Sequence, residues 1–407
     1  MPRFTALREN HYCRILLSAV LLLCFFPAAS CIKDNSVNHI ESLVNEEASD
    51  EIPVIIDPIR EKAEEIVSSM DNRLLAAQII ISGIDGSGRL TGSARTLLKK
   101  IPTGGIMLFG YNLNTGNNAI TALITEAATL INEESKIPPF ISVDHEGGTV
   151  NRFRAGVANL PTAASYWDQY SRDGLGATLL QIEEDSLRAG SVLNSFGINM
   201  NFAPVAEQLI NENRVFLARR SYGPDQLFVS MAAAAFMRGM DKAGVMCVIK
   251  HFPGSAGADP HYSASVLNMD KPSLDDLITP FTFLIDQGAR AIMAAHTSAP
   301  AIDKSIATLS PAVMQNWLRD ELGFKGIIIS DDFIMAAAGK IRPEEAAVLS
   351  VAAGADMILV WPRDLEKTHK AFLTALEEGR LPKERLTTAV IRIISEKIRH
   401  GLIDIEG

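Results

Sequence analysis

The sequence predicts an α/β protein, a single closed (β/α)8 barrel of the TIM type standing behind an export signal and a short acidic linker. Three observations carry this expectation. Short, continuously apolar runs rich in β-branched residues recur along the chain, segments with helical spacing separate them, and residues able to do chemistry gather just after the apolar runs.

In chain order, residues 1–30 have the form of a signal peptide. Arg3, Arg8 and Arg14 precede an apolar run over 15–26, which is too short to span a bilayer and ends in Ala28, Ala29 and Ser30 before Cys31. The pattern resembles a bacterial lipoprotein signal, in which the cysteine is lipidated, although Ala28 stands where leucine is usual. Cys31 would then hold an exported protein on a membrane. Residues 31–58 carry Asp34, Glu41, Glu46, Glu47, Asp50 and Glu51 without a sustained period, as a flexible tether would.

The domain is expected over 59–407, opening with a helix at 59–70. Strands are expected at 77–82, 105–109, 140–143, 199–203, 245–249, 291–295, 326–329 and 357–360. Helical spacing fills 118–132, 181–196, 225–243, 274–287, 311–322 and 343–353. Strands covered on both faces read as unbroken apolar runs, which fits a parallel barrel. A doubly wound open sheet is the competing architecture, but no Gly-x-Gly-x-x-Gly turn or Gly-Lys-Ser/Thr loop follows any strand.

Composition narrows the function. With 48 acidic and 38 basic residues the formal charge is −10, and no basic block is present to hold a phosphate backbone, so nucleic acid is not an expected partner. Of the cysteines at 13, 24, 31 and 247, two fall in the signal, which leaves no intramolecular disulfide framework. A monomer is expected.

Barrel enzymes place their chemistry at the C-terminal ends of the strands. There the sequence shows Asp144-His145-Glu146-Gly147-Gly148 after the third strand, Lys250-His251-Phe252-Pro253-Gly254 after the fifth, His296-Thr297 after the sixth, and Ser330-Asp331-Asp332 after the seventh. Four of the eight histidines, His145, His251, His261 and His296, lie in these loops. Zinc hydrolases use similar residues, but neither His-Glu-x-x-His nor a His-x-His closing the first strand is present. No Gly-x-Ser-x-Gly elbow points to a serine hydrolase.

Those segments, with Asn201-Phe202-Ala203-Pro204-Val205 and the run from Gly323-Phe324-Lys325-Gly326 to Phe333-Ile334-Met335, resemble the family 3 glycoside hydrolases, specifically their bacterial β-N-acetylhexosaminidase branch. The resemblance runs in order from about Met70 to Leu402. It implies retaining hydrolysis of terminal β-linked N-acetylglucosamine from cell-wall or chitin-type fragments, with no metal and no organic cofactor. Asp331 matches the nucleophile that forms the glycosyl-enzyme. Asp259-Pro260-His261 matches the segment whose histidine is the general acid/base, held by the aspartate. An imidazole suits that task because it titrates near neutral pH and a neighbouring carboxylate fixes its tautomer.

For sugar binding the resemblance points to Asp144, Arg152, Arg220, Lys250 and His251, with Met335 beneath the site. Arg219 beside Arg220 leaves that alignment open by one position. Two departures stand out: Thr149 replaces the arginine usual after Glu-Gly-Gly, which predicts one missing ion pair, and the 250–259 loop is short. Two other functions compete with hydrolysis, a non-catalytic sugar-binding lipoprotein and a β-N-acetylglucosaminide phosphorylase.

Overall fold

The computed structural model describes residues 57–154, 156–257, 265–333 and 341–405. The expected signal, the tether up to residue 56 and Cys31 lie outside them.

Eight parallel strands form one sheet: β1 (Ile80–Gly83), β2 (Gly105–Leu108), β3 (Phe140–Val143), β4 (Met200–Asn201), β5 (Met246–Phe252), β6 (Ala291–Ala294), β7 (Ile327–Ser330) and β8 (Ile358–Val360). Hydrogen bonding runs β7-β6-β5-β4-β3-β2-β1-β8. The seam between β7 and β8 is narrow but joined, since Ser330 N–H donates to Met357 O at 3.0 Å and Asp356 N–H to Ile328 O at 2.8 Å. Every residue of these strands is buried, because the side chains that leave the barrel interior meet the surrounding helices.

A wholly buried carboxylate pins the seam from below. Asp356 Oδ2 accepts the Ile328 N–H at 3.0 Å and also bonds Arg319, while Oδ1 accepts from Arg385 and Arg392, each at 3.0 Å. The group ties β7 and β8 to helices Ala312–Glu321 and Lys383–Arg399.

The outer helices follow their caps. The helix expected over 225–243 is observed as Gln226–Lys242, with the Asp225 carboxylate accepting the Phe228 N–H at 2.7 Å. The stretch expected as one helix over 274–287 is two, Lys271–Leu277 and Thr279–Asp286, because Pro280 has no N–H to continue the first and instead opens the second. Residues 311–322 are helical as expected, but the turns are wide, with Leu322 N–H reaching Trp317 O five residues back.

The first strand needs correcting. Ala77 and Gln78 close the helix Asn72–Gln78, capped by Asp71, and β1 begins at Ile80. Both residues are fully buried, so hydrophobicity alone could not separate helix from strand there.

A small sheet absent from the sequence reading, made of Ser265–Val266, Thr297–Ala299 and Asp303–Ile306, lies beyond β5 and β6. The sheet and the loop at Glu212 together pin the ends of the segment that carries Asp259 and His261. Ala256 N–H donates to Ser265 Oγ at 2.9 Å, and Gly257 N–H to Glu212 O at 2.6 Å.

Candidate active site

A cavity of about 740 Å³ opens at the C-terminal ends of the strands. One wall carries Asp144, Glu146, Arg152, Arg220, Lys250 and His251. Another carries Asp331 and Asp332 beside Phe109 and Trp361. Every described residue that the sequence assigned to the site therefore faces one space.

The charged wall is built on the turn after β3. Gly147 and Gly148 adopt φ of 95° and 55°, and a Cβ on Gly147 would sit 2.2 Å from Pro161 O, so the chain can reverse there only with glycine. The reversal directs Asp144 and Glu146 at Lys250, whose Nζ lies 2.8 Å from Asp144 Oδ1 and 2.6 Å from Glu146 Oε1. Arg220 grips Glu146 through Nε at 2.7 Å and Nη2 at 2.8 Å, and Arg152 Nη2 reaches Asp144 Oδ2 at 3.2 Å. Arg219 instead donates to Thr162 Oγ1, and of the two neighbours it is Arg220 that lines the cavity.

Burial opposes ionisation throughout this group, yet the partners win. Burial works to raise the Glu146 carboxyl, but Lys250 and Arg220 hold it well below the usual carboxylate range. Asp144 is likewise held low by Lys250 and Arg152 against its burial. Burial would lower the Lys250 ammonium, and Asp144 and Glu146 raise it instead. Thr149 is exposed on the turn, and Glu146 already has two cations, so the substitution leaves this carboxylate paired.

His251 is oriented from behind. Glu207 Oε1 accepts from its Nδ1 at 2.6 Å, from its backbone N–H at 3.2 Å and from the Ser255 hydroxyl at 3.1 Å. With Nδ1 donating, Nε2 is the ring atom left for a ligand.

The grouping of four histidines at the strand ends resolves into different roles. His145 is wholly buried and donates from Nε2 to Ala158 O at 2.7 Å, and burial pushes it down to about 4, so it is a neutral structural residue. His296 donates from Nε2 to the Asp332 carbonyl at 2.9 Å and accepts at Nδ1 from the Thr308 hydroxyl at 2.7 Å. His251 faces the cavity. His261 lies outside the described residues, as do Asp259 and Met335.

Asp331 follows β7 directly, its N–H bonded to Ala294 O at 3.2 Å, and its Oδ1 accepts the Asp332 N–H at 2.8 Å. Sequence reasoning missed Glu207 and Trp361. Glu207 stands two residues past the Ala203-Pro204-Val205 motif. Trp361 follows β8, outside the motifs that carry the resemblance. Among the described residues, no cluster of three His, Cys, Asp or Glu side chains is placed to hold a metal ion.

The model of the glycosyl hydrolase family 3 N-terminal domain matches residues 59–396. A beta-hexosaminidase of Stenotrophomonas maltophilia (strain K279a) is 34% identical over 291 residues, covering 69% of this chain and 83% of the relative. One from Methylococcus capsulatus is 34% identical over 279 residues, covering 67% of this chain and 79% of the relative. Among solved structures, a family 3 β-N-acetylglucosaminidase from Paenibacillus superposes with a TM-score of 0.76 at 32% identity, over 82% of this chain and 63% of that one. NagZ from Neisseria gonorrhoeae in complex with N-trifluoroacetyl-D-glucosamine gives 0.67 at 28% identity, over 78% of this chain and 89% of that one. With matches of this extent running through the barrel and its strand-end motifs, the chain belongs to glycosyl hydrolase family 3.

Proposed function

We propose that the chain is a retaining β-N-acetylglucosaminidase acting on the non-reducing ends of cell-wall or chitin-type fragments. The observation that carries this reading is the single cavity that Asp331 shares with the Asp144, Lys250 and Arg152 ion pairs. The relatives named beta-hexosaminidase support the choice of sugar. The ion-paired wall grips the hydroxyls of the terminal sugar, and Asp331 attacks its anomeric carbon. The C–O bond to the aglycone breaks as His261, oriented by Asp259, gives its proton to the leaving oxygen. Water then enters, His261 takes its proton, and hydroxide displaces Asp331 from the sugar with net retention. The pinned ends at Ala256 and Ser265 support this assignment, because they root the segment carrying Asp259 and His261 beside β5.

The test is turnover of aryl glycosides of N-acetylglucosamine, N-acetylgalactosamine, glucose and xylose. We expect the N-acetylglucosaminide to exceed the glucoside by about 10²-fold or more in kcat/KM, because polar groups placed for an acetamide are left unpaired by a hydroxyl. Equal rates on glucoside and N-acetylglucosaminide would overturn the reading. No turnover of any of them would favour the sugar-binding alternative.

The basic start, apolar run and small residues before Cys31 support export and lipid anchoring of the mature protein. Cys31→Ser should move it from the membrane to the soluble fraction. Unchanged partitioning would refute the anchor.

A further inference from the structure

The strand ends on the far side of the cavity from Lys250 form a second wall, built on aromatic rings. Its centre is β1, which ends in Gly83. A Cβ on that residue would lie 2.9 Å from Phe109 Cε2 and 2.9 Å from Pro362 Cδ. Because β1 brings no side chain to this level, residues from β2 and β8 meet directly over it. Phe109 stacks on Trp361 with ring centroids 4.6 Å apart and planes inclined by 12°. Phe109 is itself fixed, since its N–H donates to Asn112 Oδ1 at 2.8 Å and the Asn112 amide donates to Ile84 O and Gly86 O.

The stacked Trp361 presents its indole N–H to Asp332, bonding Oδ2 of that carboxylate. From the β6 side, His296 holds the Asp332 backbone carbonyl. Asp332 in turn donates its own N–H to Asp331 Oδ1 at 2.8 Å. One oxygen of Asp331 is thereby oriented by the backbone N–H of a residue whose side chain is held by Trp361 and whose carbonyl is held by His296.

We propose that Trp361 is a positioning residue for the nucleophile: its indole N–H fixes the Asp332 carboxylate, and the Asp332 peptide then fixes the attack geometry of Asp331. The proposal rests on the reading of Asp331 as nucleophile. The ion-paired wall on β3 and β5 does not depend on this contact, so its loss should slow bond breaking and leave binding of the terminal sugar intact.

Trp361→Phe keeps a ring to stack on Phe109 and removes only the donor. With an aryl N-acetylglucosaminide we expect kcat to fall about 10- to 100-fold, the scale of a small misplacement of a reacting group, with KM changed less than about threefold. Asp332→Asn, which still offers an oxygen to the indole, should keep most of the activity, and Asp332→Ala should lose it. Adding Trp361→Phe to Asp332→Ala should cost less than about a further threefold, because the bond it removes is already gone.

An equal loss from Trp361→Phe in both backgrounds would show that the ring acts through packing alone, and kcat of Trp361→Phe within threefold of wild type would show that the bond does not matter. Either overturns the proposal. If Trp361→Phe does not fold, the Asp332→Asn and Asp332→Ala pair decides, and equal activity in those two variants overturns it. Wild-type turnover of the same substrate is the control. Its absence would overturn the reading of the whole site rather than the role of Trp361.

Discussion

Asp331→Ala is expected to lose at least about 10⁴-fold in kcat on every glycoside tested, since without the nucleophile no glycosyl-enzyme can form. His261→Ala should fail differently. A nitrophenolate leaves with little protonation, so formation of the intermediate on such a substrate should be only mildly slowed, and the intermediate should accumulate. Azide should then restore turnover of His261→Ala by attacking the accumulated intermediate, giving a glycosyl azide of retained configuration, whereas any azide product of Asp331→Ala should have the inverted configuration, because azide there attacks in place of the carboxylate. Asp259→Asn should behave as a weaker His261→Ala, because the imidazole stays while the charge that orients it goes. Rates on aryl and natural glycosides with and without azide check all three. Full activity of His261→Ala on poor leaving groups would move the acid/base role to another residue.

The largest expected effect on stability lies at the barrel seam. Asp356→Ala would strip the carboxylate from three buried or half-buried guanidinium groups and from the Ile328 N–H, and should cost about 3–5 kcal/mol, seen as a fall of several degrees in Tm. The pH dependence has a definite sign. Burial acts to raise the Asp356 carboxyl, but Arg319, Arg385 and Arg392 hold it below its ordinary value of 3.8. The stability it contributes is therefore present above that value and is lost as pH falls through the lower, folded-state one. Thermal melts between about pH 2 and 7 should show this part of the acid destabilisation in the wild type and not in Asp356→Ala. A Tm within one or two degrees of wild type at neutral pH would refute the assignment.

The barrel was legible because each of its strands is buried on both faces, which writes an apolar run that does not depend on neighbours. The errors came where that signal is ambiguous. Ala77 and Gln78 are as buried as a strand residue but belong to a helix set by the Asp71 cap. The single helix expected over 274–287 ignored Pro280. In the site, Asp144, Lys250, His251 and Asp331 were legible because they stand directly at strand ends, within motifs. The pairing of Glu146 with both Lys250 and Arg220 was not, since it joins residues 74 and more positions apart. Nor was the division of the histidines, because neutral structural His145 and cavity-lining His251 occupy similar places after their strands and differ only in which way the ring turns.

The ion-paired wall also bears on which species can enter the cavity. Among the described lining residues, Arg152, Arg220 and Lys250 are each already bonded to Asp144 or Glu146, and Asp331 and Asp332 add two further carboxyl groups. To bond Lys250 or Arg220, an incoming anion would have to compete with the carboxylate each already holds, at a cost of several kcal/mol for a buried pair. Neutral pyranosides bring no charge to compete for these pairs. Uronic acids are disfavoured as donors on this ground.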